Sequence, residues 1–395
     1  MKVEVVLTEA DITQEFAEAV EARDLPEKFF YWHPRSAEEW TALMEHAELY
    51  GGLWLSWKEL AGESQSLAQQ FGPKIPVISF GVGDGKRDRL LMRSLRACGS
   101  ECSYFPVDAS QSMLEMACAE AEDEDFETVG IKADISSPVH LVYCADAAEP
   151  PRLFILSGNT MGAFDPLAQI RYIAQCMKPA DRLIIDGELH DADRTMARRD
   201  NASARRFLWS LLNSVGISGE EGEIRFTQRR DDRHMGLHLI TRHFRAEQDI
   251  SATVASREIP MQRGEHIGLN FQYTYTPDAF RWLLRDQGGL EIVREFESPD
   301  ARFLTAICRK QAGRGDQTWT APIGFQQSLR AALRPASEGG AQDARAFVGS
   351  NPSRAPETPA DQRNGRFLSK LGARCVLLRE RIKVNACLIR TTRYA

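Results

Sequence analysis

The stretch Val77-Ile-Ser-Phe-Gly81-Val-Gly83-Asp84-Gly85-Lys86 decides the fold. An apolar run (strand candidate Ile75–Phe80) stops on a cluster of glycines, and a helix through Arg89–Arg96 follows. Glycines at the carboxyl end of a strand let the backbone turn tightly and come close to a ligand. Further along, short apolar runs recur at Ser103–Val107, Glu127–Ala133, Pro151–Leu156 and Asp181–Asp186. Helical patterns lie between them at about 110–121, with Ser110 a suitable N-cap, and at about 166–177. Strands separated by crossover helices predict a parallel α/β sheet.

The flanks read differently. Residues 9–70 carry helix formers with apolar residues at helical spacing, interrupted by the aromatic stretch Leu25-Pro-Glu-Lys-Phe-Phe-Tyr31-Trp32. Beyond about 195, Ala197–Val215 is expected to be helical and Glu223–Glu258 to form strands. Gly264–Tyr275 reads as extended, Pro277–Asp286 as a helix, and Leu290–Glu297 with Phe303–Cys308 as a closing antiparallel pair. Residues 311–395 are rich in Gly, Pro, Ser, Ala and Arg; the part up to about 365 is expected to be disordered, with a local helix or strand after it.

Composition narrows the function classes. The apolar fraction of 43% and charged fraction of 27% are those of an ordinary globular protein. No apolar run reaches the roughly 18 residues of a membrane span, and the N-terminus lacks the apolar core of a signal peptide. Eight cysteines are too sparse for a disulfide scaffold, so a reduced cytoplasmic protein is expected. The net charge of −7 is uneven: residues 311–395 hold 14 Lys and Arg against 6 Asp and Glu, and the remainder holds 35 against 50. Such an acidic body argues against a nucleic-acid binder, which needs a basic face.

Two acids follow the glycines. Asp108 ends the second strand, 25 residues after Gly83, where a carboxylate accepts both hydroxyls of a ribose. Asp134 ends the third strand and suits an adenine amino group. A dinucleotide site would place a third glycine where Lys86 stands, so the pair of acids favours S-adenosylmethionine over a nicotinamide cofactor. After the fourth strand, Leu156-Ser157-Gly158-Asn159-Thr-Met-Gly-Ala163-Phe-Asp165 lies at the carboxyl edge of the sheet, small enough for close approach to cofactor and acceptor. His234, His238 and His243 read as strand histidines, and Cys98 and Cys102 lack partners at zinc spacing; no metal site is expected.

The order of these blocks, with Tyr104-Phe-Pro-Val-Asp108-Ala-Ser110, Gly236-Leu-His238-Leu and Gly264-Glu265 to Thr276, resembles the S-adenosylmethionine-dependent histidine Nα-methyltransferases of ergothioneine biosynthesis. Fungal relatives that methylate tryptophan-derived amines share the pattern, and the likeness covers about residues 20–310. The resemblance implies a Rossmann-like methyltransferase domain at 56–195, closed by strands at 286–310. A smaller α+β substrate domain would come from residues 1–55 and the 196–285 insertion. Carried over by position, Gly81, Gly83, Asp108 and Asp134 would hold the cofactor, with Lys86, Ala109, Ile135, Ser157 and Gly158 beside them. Tyr31 and Tyr50 fall on family site tyrosines, Trp40 lies near a family phenylalanine, and Asn159 belongs to the acceptor loop.

The acceptor side departs from that pattern. Ala163 stands where the family has an asparagine that contacts the substrate's α-amino-acid end. No tyrosine appears among Ala197–Asp200, where the family has one. Asn270 and Gln272 replace a Glu-x-Ser that binds the imidazole, and Leu237 replaces a methionine beside it. An amide in place of a carboxylate loses the charge-assisted bond to a histidine ring. The expected activity is therefore N-methylation of a small amino acid or amine other than histidine, by a monomer or weak homodimer. The alternatives are histidine methylation with altered contacts, or an inactive cofactor-binding protein. Asp84, Tyr31 and Glu188 lie near the expected cleft, and no general base is assigned.

Overall fold

The computed structural model describes residues 1–311; the expectations for the rest of the tail lie outside the described residues. The runs that decide the fold form β1 (Val3–Val5), β2 (Lys74–Phe80), β3 (Glu101–Asp108), β4 (Glu127–Thr128), β5 (Gly130–Lys132), β6 (Leu153–Leu156) and β7 (Arg182–Glu188). These pair in parallel. Further on come β8 (Gly222–Arg230), β9 (Leu237–Ala246), β10 (Ile250–Val254), β11 (Arg257–Met261), β12 (His266–Tyr275), β13 (Leu290–Glu297) and β14 (Phe303–Lys310). The large sheet runs β1-β5-β3-β2-β6-β7-β14-β13, with β4 beside β3 and the last two strands antiparallel.

Chain order reverses at β2, whose neighbours are β3 and β6. Such a switch point leaves a crevice at the carboxyl ends of the strands, where ligands of open α/β sheets bind. The strands read as near-continuous apolar runs because both faces are covered. Ile78, Phe80, Phe154, Leu183 and Ile185 pack on one side, and Ile75, Val77, Leu153, Ile155 and Ile184 on the other.

The helices are α1 (Glu9–Glu21), α2 (Pro34–Met44), α3 (Ala47–Ala61), α4 (Ser64–Phe71), α5 (Lys86–Ala97), α6 (Gln111–Glu122), α7 (Pro138–Ala145), α8 (Pro166–Cys176), α9 (Ala192–Arg199), α10 (Ala202–Ser214) and α11 (Pro277–Trp282). Ser110 caps α6 by accepting from the Met113 amide at 3.3 Å. The single helix expected over Ala197–Val215 is two, because Asn201 caps α10 through the amides of Ser203 and Ala204. The extended Glu127–Ala133 is split into β4 and β5.

Strands β8, β9 and β12 form a three-stranded antiparallel sheet, and β10–β11 a hairpin. With α1, α10 and the 3-10 turn Glu27–Phe30 they enclose a second core around Phe16, Phe30, Phe207, Leu211, Phe244 and Ile267. The N-terminal segment serves both cores. Val3–Val5 adds a parallel edge strand to the large sheet, and a boundary at residue 55 falls inside α3, whose Trp57 is wholly buried against the large sheet.

Candidate active site

A cavity of about 900 Å³, part of it open to solvent, lies at the switch point. Its floor is built from backbone. Gly81, Gly83 and Gly85 all adopt positive φ of 59–66°, a region that costs other L-residues about 1–2 kcal/mol. A Cβ on Gly83 would stand 2.6 Å from the Trp40 ring, and one on Gly81 would stand 3.0 Å from Thr160. The glycines thus let Trp40, from α2, lie on the loop and still leave the cavity open beneath it.

Asp108 sits at the carboxyl end of β3, where its side chain accepts from the amides of Gly83 at 3.2 Å and Ser110 at 2.9 Å. Burial pushes its carboxyl up to about 6, against the pull of those amides. Asp134 lines the same cavity, but its carboxylate is already engaged. Lys28 reaches one oxygen at 2.7 Å, while Ser136 donates its amide at 2.8 Å and its hydroxyl at 2.6 Å to the other. Burial would raise this carboxyl, yet Lys28 and Ser136 outweigh it and hold it below the ordinary range. Lys28 is itself shared with Glu15.

Of the residues expected at the cofactor end, Gly81, Gly83, Asp108, Ala109, Asp134, Ile135, Ser157 and Gly158 line the cavity together. Lys86 does not. Its ammonium pairs with Glu45 at 3.5 Å and Asp84 at 3.3 Å on the outer side of the loop. The next residue, Arg87, is buried, lines the cavity and lies against Gly158, 3.0 Å from where a Cβ would stand. One step along the first turn of a helix rotates a side chain by about 100°, so a spacing argument off by one residue selects the wrong face.

The loop after β6 is held from behind by Asp186. Its carboxylate accepts from the amides of Gly158 at 3.0 Å and Asn159 at 2.7 Å and from the Trp57 indole at 3.1 Å. Asn159, at φ 55°, is a joint: its side-chain amide donates to the Tyr273 carbonyl at 2.9 Å, and its oxygen accepts from the Glu188 amide at 3.2 Å. Gln272 donates to the Asn159 carbonyl at 3.0 Å. Asn159, Ala163 and Gln272 line the cavity, as do Tyr31, Trp40 and Tyr50. Leu237 does not: β9 turns it into the core, fully buried.

The opposite wall carries charges absent from the expectation. The extended backbone bonds Leu25 amide to Gly268 carbonyl, 2.9 Å, and Gly268 amide to Arg23 carbonyl, 2.8 Å, dock the N-terminal segment on β12. A bulge follows Gly268 on β12, and Asn270 takes φ 56° in it. Glu27 is thereby brought against Asn270, whose amide donates to its carboxylate. Tyr31 donates its hydroxyl to the other oxygen, and Arg242 stands 3.6 Å away with its side chain over the Phe30 ring. Burial and Glu27 together push the Tyr31 phenol well above its ordinary value. Asn270 does not itself line the cavity; Glu27 does.

Arg199, the last residue of α9, also lines the cavity. Glu188 binds both its guanidinium and that of Arg198, the latter at 2.9 Å. Arg198 lies between the rings of Tyr50 and Phe303, at 4.6 and 4.7 Å, which fixes Tyr50. The Arg199 Nε is buried with no hydrogen-bond partner. Arg199 stands in the segment where no tyrosine was found, and the doublet Arg198-Arg199 at a helix C-terminus was the available signal. Glu188, once a candidate beside the reacting groups, is enclosed by the two arginines, and Asp84 accepts from the Lys86 amide on the outer side.

The histidines pair off outside the cavity: His238 stacks on His190 with centroids 3.5 Å apart, and His234 on Trp282 at 4.4 Å. Among the described residues no helix is long and apolar enough to cross a membrane.

A cleft at the switch point, three left-handed glycines, a buried carboxylate at the second strand end and an arginine aimed inward fit a nucleoside carrying an amino-acid tail. Solved structures to which this chain is similar include an S-adenosylmethionine-dependent methyltransferase from Clostridium acetobutylicum ATCC 824 (13% identity, 65% of this chain and 91% of that one, TM-score 0.36). Others are the CcbJ methyltransferase of Streptomyces caelestis (13%, 65% and 90%, 0.34) and CalS10, an amino pentose methyltransferase from Micromonospora echinaspora (10%, 66% and 94%, 0.32). No curated protein matches the sequence. The family described as histidine-specific, S-adenosylmethionine-dependent methyltransferases matches residues 8–310, and the chain belongs to it: it is an S-adenosylmethionine-dependent methyltransferase.

Proposed function

We propose that the chain methylates the nitrogen of a small amino acid or amine other than histidine. One observation carries this reading. The amides at the two positions where the family resemblance implies imidazole contacts are turned into the protein, Gln272 to the Asn159 carbonyl and Asn270 to Glu27. Ala163 adds no polar atom to that end of the cavity. A site whose polar partners are gone discriminates strongly against the ligand they served. One observation favours the second reading, histidine with altered contacts: Glu27 puts a carboxylate back beside Asn270. Six free cysteines among the described residues suit the reducing cytoplasm in which we place it.

When bound, S-adenosylmethionine supplies a methyl group on a sulfonium, open to in-line displacement by a neutral amine. In our reading Asp108 accepts from the ribose hydroxyls, and Arg87 takes the carboxylate of the amino-acid tail. Trp40 covers the glycine loop and, with Tyr31 and Tyr50, keeps water from the reacting pair. Arg199 offers its unpartnered edge to an acceptor carboxylate, a planar match. Tyr31 is no proton acceptor, since its own proton is donated to Glu27. Glu188 is closed off by Arg198 and Arg199. The amine therefore arrives neutral, and the residues contribute alignment, which is worth several kcal/mol by itself.

The test is mass spectrometry of purified protein with S-adenosylmethionine, histidine and a panel of other amino acids and aromatic amines. Methylation of another amine with histidine untouched supports the reading. Methylated histidine overturns it in favour of the second. Cofactor binding without turnover on any amine indicates an inactive binder.

A further inference from the structure

We infer that Glu27 is the specificity-determining carboxylate of the acceptor end, receiving the amino group of the acceptor. The inference rests on the reading of this cavity as an N-methylation site. Glu27 lines the cavity, yet its side chain is only 13% exposed. A carboxylate so far out of water is costly unless its lone pairs are used. Two oxygens offer about four acceptor positions. The protein fills one on each oxygen, with the Tyr31 hydroxyl and the Asn270 amide. Arg242, 3.6 Å away, balances the charge without hydrogen-bonding to it; its Nε and one Nη are buried with no partner. The remaining acceptor positions of Glu27 are left for a ligand.

Geometry explains why this carboxylate and not one on β12 faces the cavity. Asn270 is held at φ 56° in a bulge, a conformation that asparagine tolerates better than most residues. Its side chain works as a bracket that orients Glu27 from the side, while Tyr31, four residues on, orients it from above. Asn270 and Tyr31 are thus positioning residues for a charge on the 3-10 turn.

The full-length protein saturated with S-adenosylhomocysteine is titrated calorimetrically with free amino acids and aromatic amines. Each is paired with its analogue lacking the amino group: histidine with imidazolepropionate, tryptophan with indolepropionate. Some amine-bearing member is expected to bind about tenfold or more tighter than its partner, the worth of one charge-assisted bond. Glu27→Gln should reduce that preference to about threefold or less. Glu27→Asp serves if the amide variant fails to fold, and S-adenosylhomocysteine affinity within about twofold of the parent certifies either variant. No preference for the amine in the parent protein, or one unchanged in the variants, overturns the inference. Histidine methylated in parallel, with the Glu27 pattern intact, sinks the acceptor assignment alone. Another amine methylated with Glu27 indifferent sinks the inference alone.

Discussion

The two ends of one cavity are built from different materials. The end we assign to the cofactor is built of backbone: three left-handed glycines and one carboxylate tied to two main-chain amides. These come from two consecutive strand ends of a single sheet. The end we assign to the acceptor is built of side chains from elements far apart in sequence: Glu27 and Tyr31 from the N-terminal segment, Arg199 from α9, with Asn270 on β12 and Arg242 on β9 behind them. A backbone site is specified by local spacing and has little room to drift. A side-chain site is specified by how distant segments dock, and a charge can pass from one element to another while the fold stays the same.

The largest expected effect therefore falls on the backbone-built end. Asp108→Ala removes the anchor of the Gly83 amide and, on our proposal, the acceptor for two ribose hydroxyls. Bonds to a charged acceptor are worth about 1.5–3 kcal/mol each, so S-adenosylhomocysteine affinity should fall about a hundredfold or more by calorimetry. The same group sets a pH dependence. Its carboxyl is raised to about 6 by burial, and the hydroxyls bind the ionised form. Affinity should be flat above about pH 6 and fall as pH drops below it, by at most about tenfold per unit, because protonation competes with the ligand. Asp108→Asn should weaken binding and flatten that limb. A limb that survives in Asp108→Asn would assign it to another group.

The next effect separates neighbours. Arg87→Leu should cost about tenfold or more in S-adenosylhomocysteine affinity, whereas Lys86→Leu should cost less than about twofold, since an exposed pair is worth little. Equal losses in both would mean that the helix start does not discriminate between them.

These pairs show which parts were legible. The parallel sheet and the positions of Gly81, Gly83 and Asp108 follow from glycine conformation and strand-end spacing, both local properties. Arg87 lines the cavity and Lys86 does not, because position along the chain locates a helix start without its rotational phase. The resemblance sets Leu237 beside the acceptor by position along the chain, and position does not say which face of β9 meets the cavity; Leu237 lies in the core. Glu27 and Arg199 were missed because neither is near the cavity until the Arg23–Leu25 backbone pairs with Gly268 and Asn201 stops α9 from running into α10. The edge strand Val3–Val5 was missed too: three residues carry too little periodicity to read.

A smaller effect should be confined to the acceptor end. Arg199→Leu removes the guanidinium whose Nε lacks a partner, and it leaves Glu188 with Arg198. The acceptor KM should rise about tenfold while S-adenosylhomocysteine affinity stays within about twofold. A matching loss at the cofactor end would place Arg199 on the cofactor's own carboxylate and merge the two halves of the comparison.

The smallest effect should be shared. Trp57 touches neither ligand end, but its indole donates to Asp186, which holds the amides of Gly158 and Asn159. That loop is the seam: Ser157 and Gly158 face one end of the cavity, Ala163 the other. Trp57→Phe keeps most of the buried ring and removes one hydrogen bond to a charged group. It should cost about 1–2 kcal/mol, a shift of a few degrees in thermal midpoint for a chain this size. Since Asp186 retains both main-chain donors, the loop should stay in place but soften. Cofactor affinity and acceptor KM should then both worsen, by about threefold or less and to a similar extent. A change at one end alone would show that the loop's halves move independently, and that the two ends share a cavity without sharing its support.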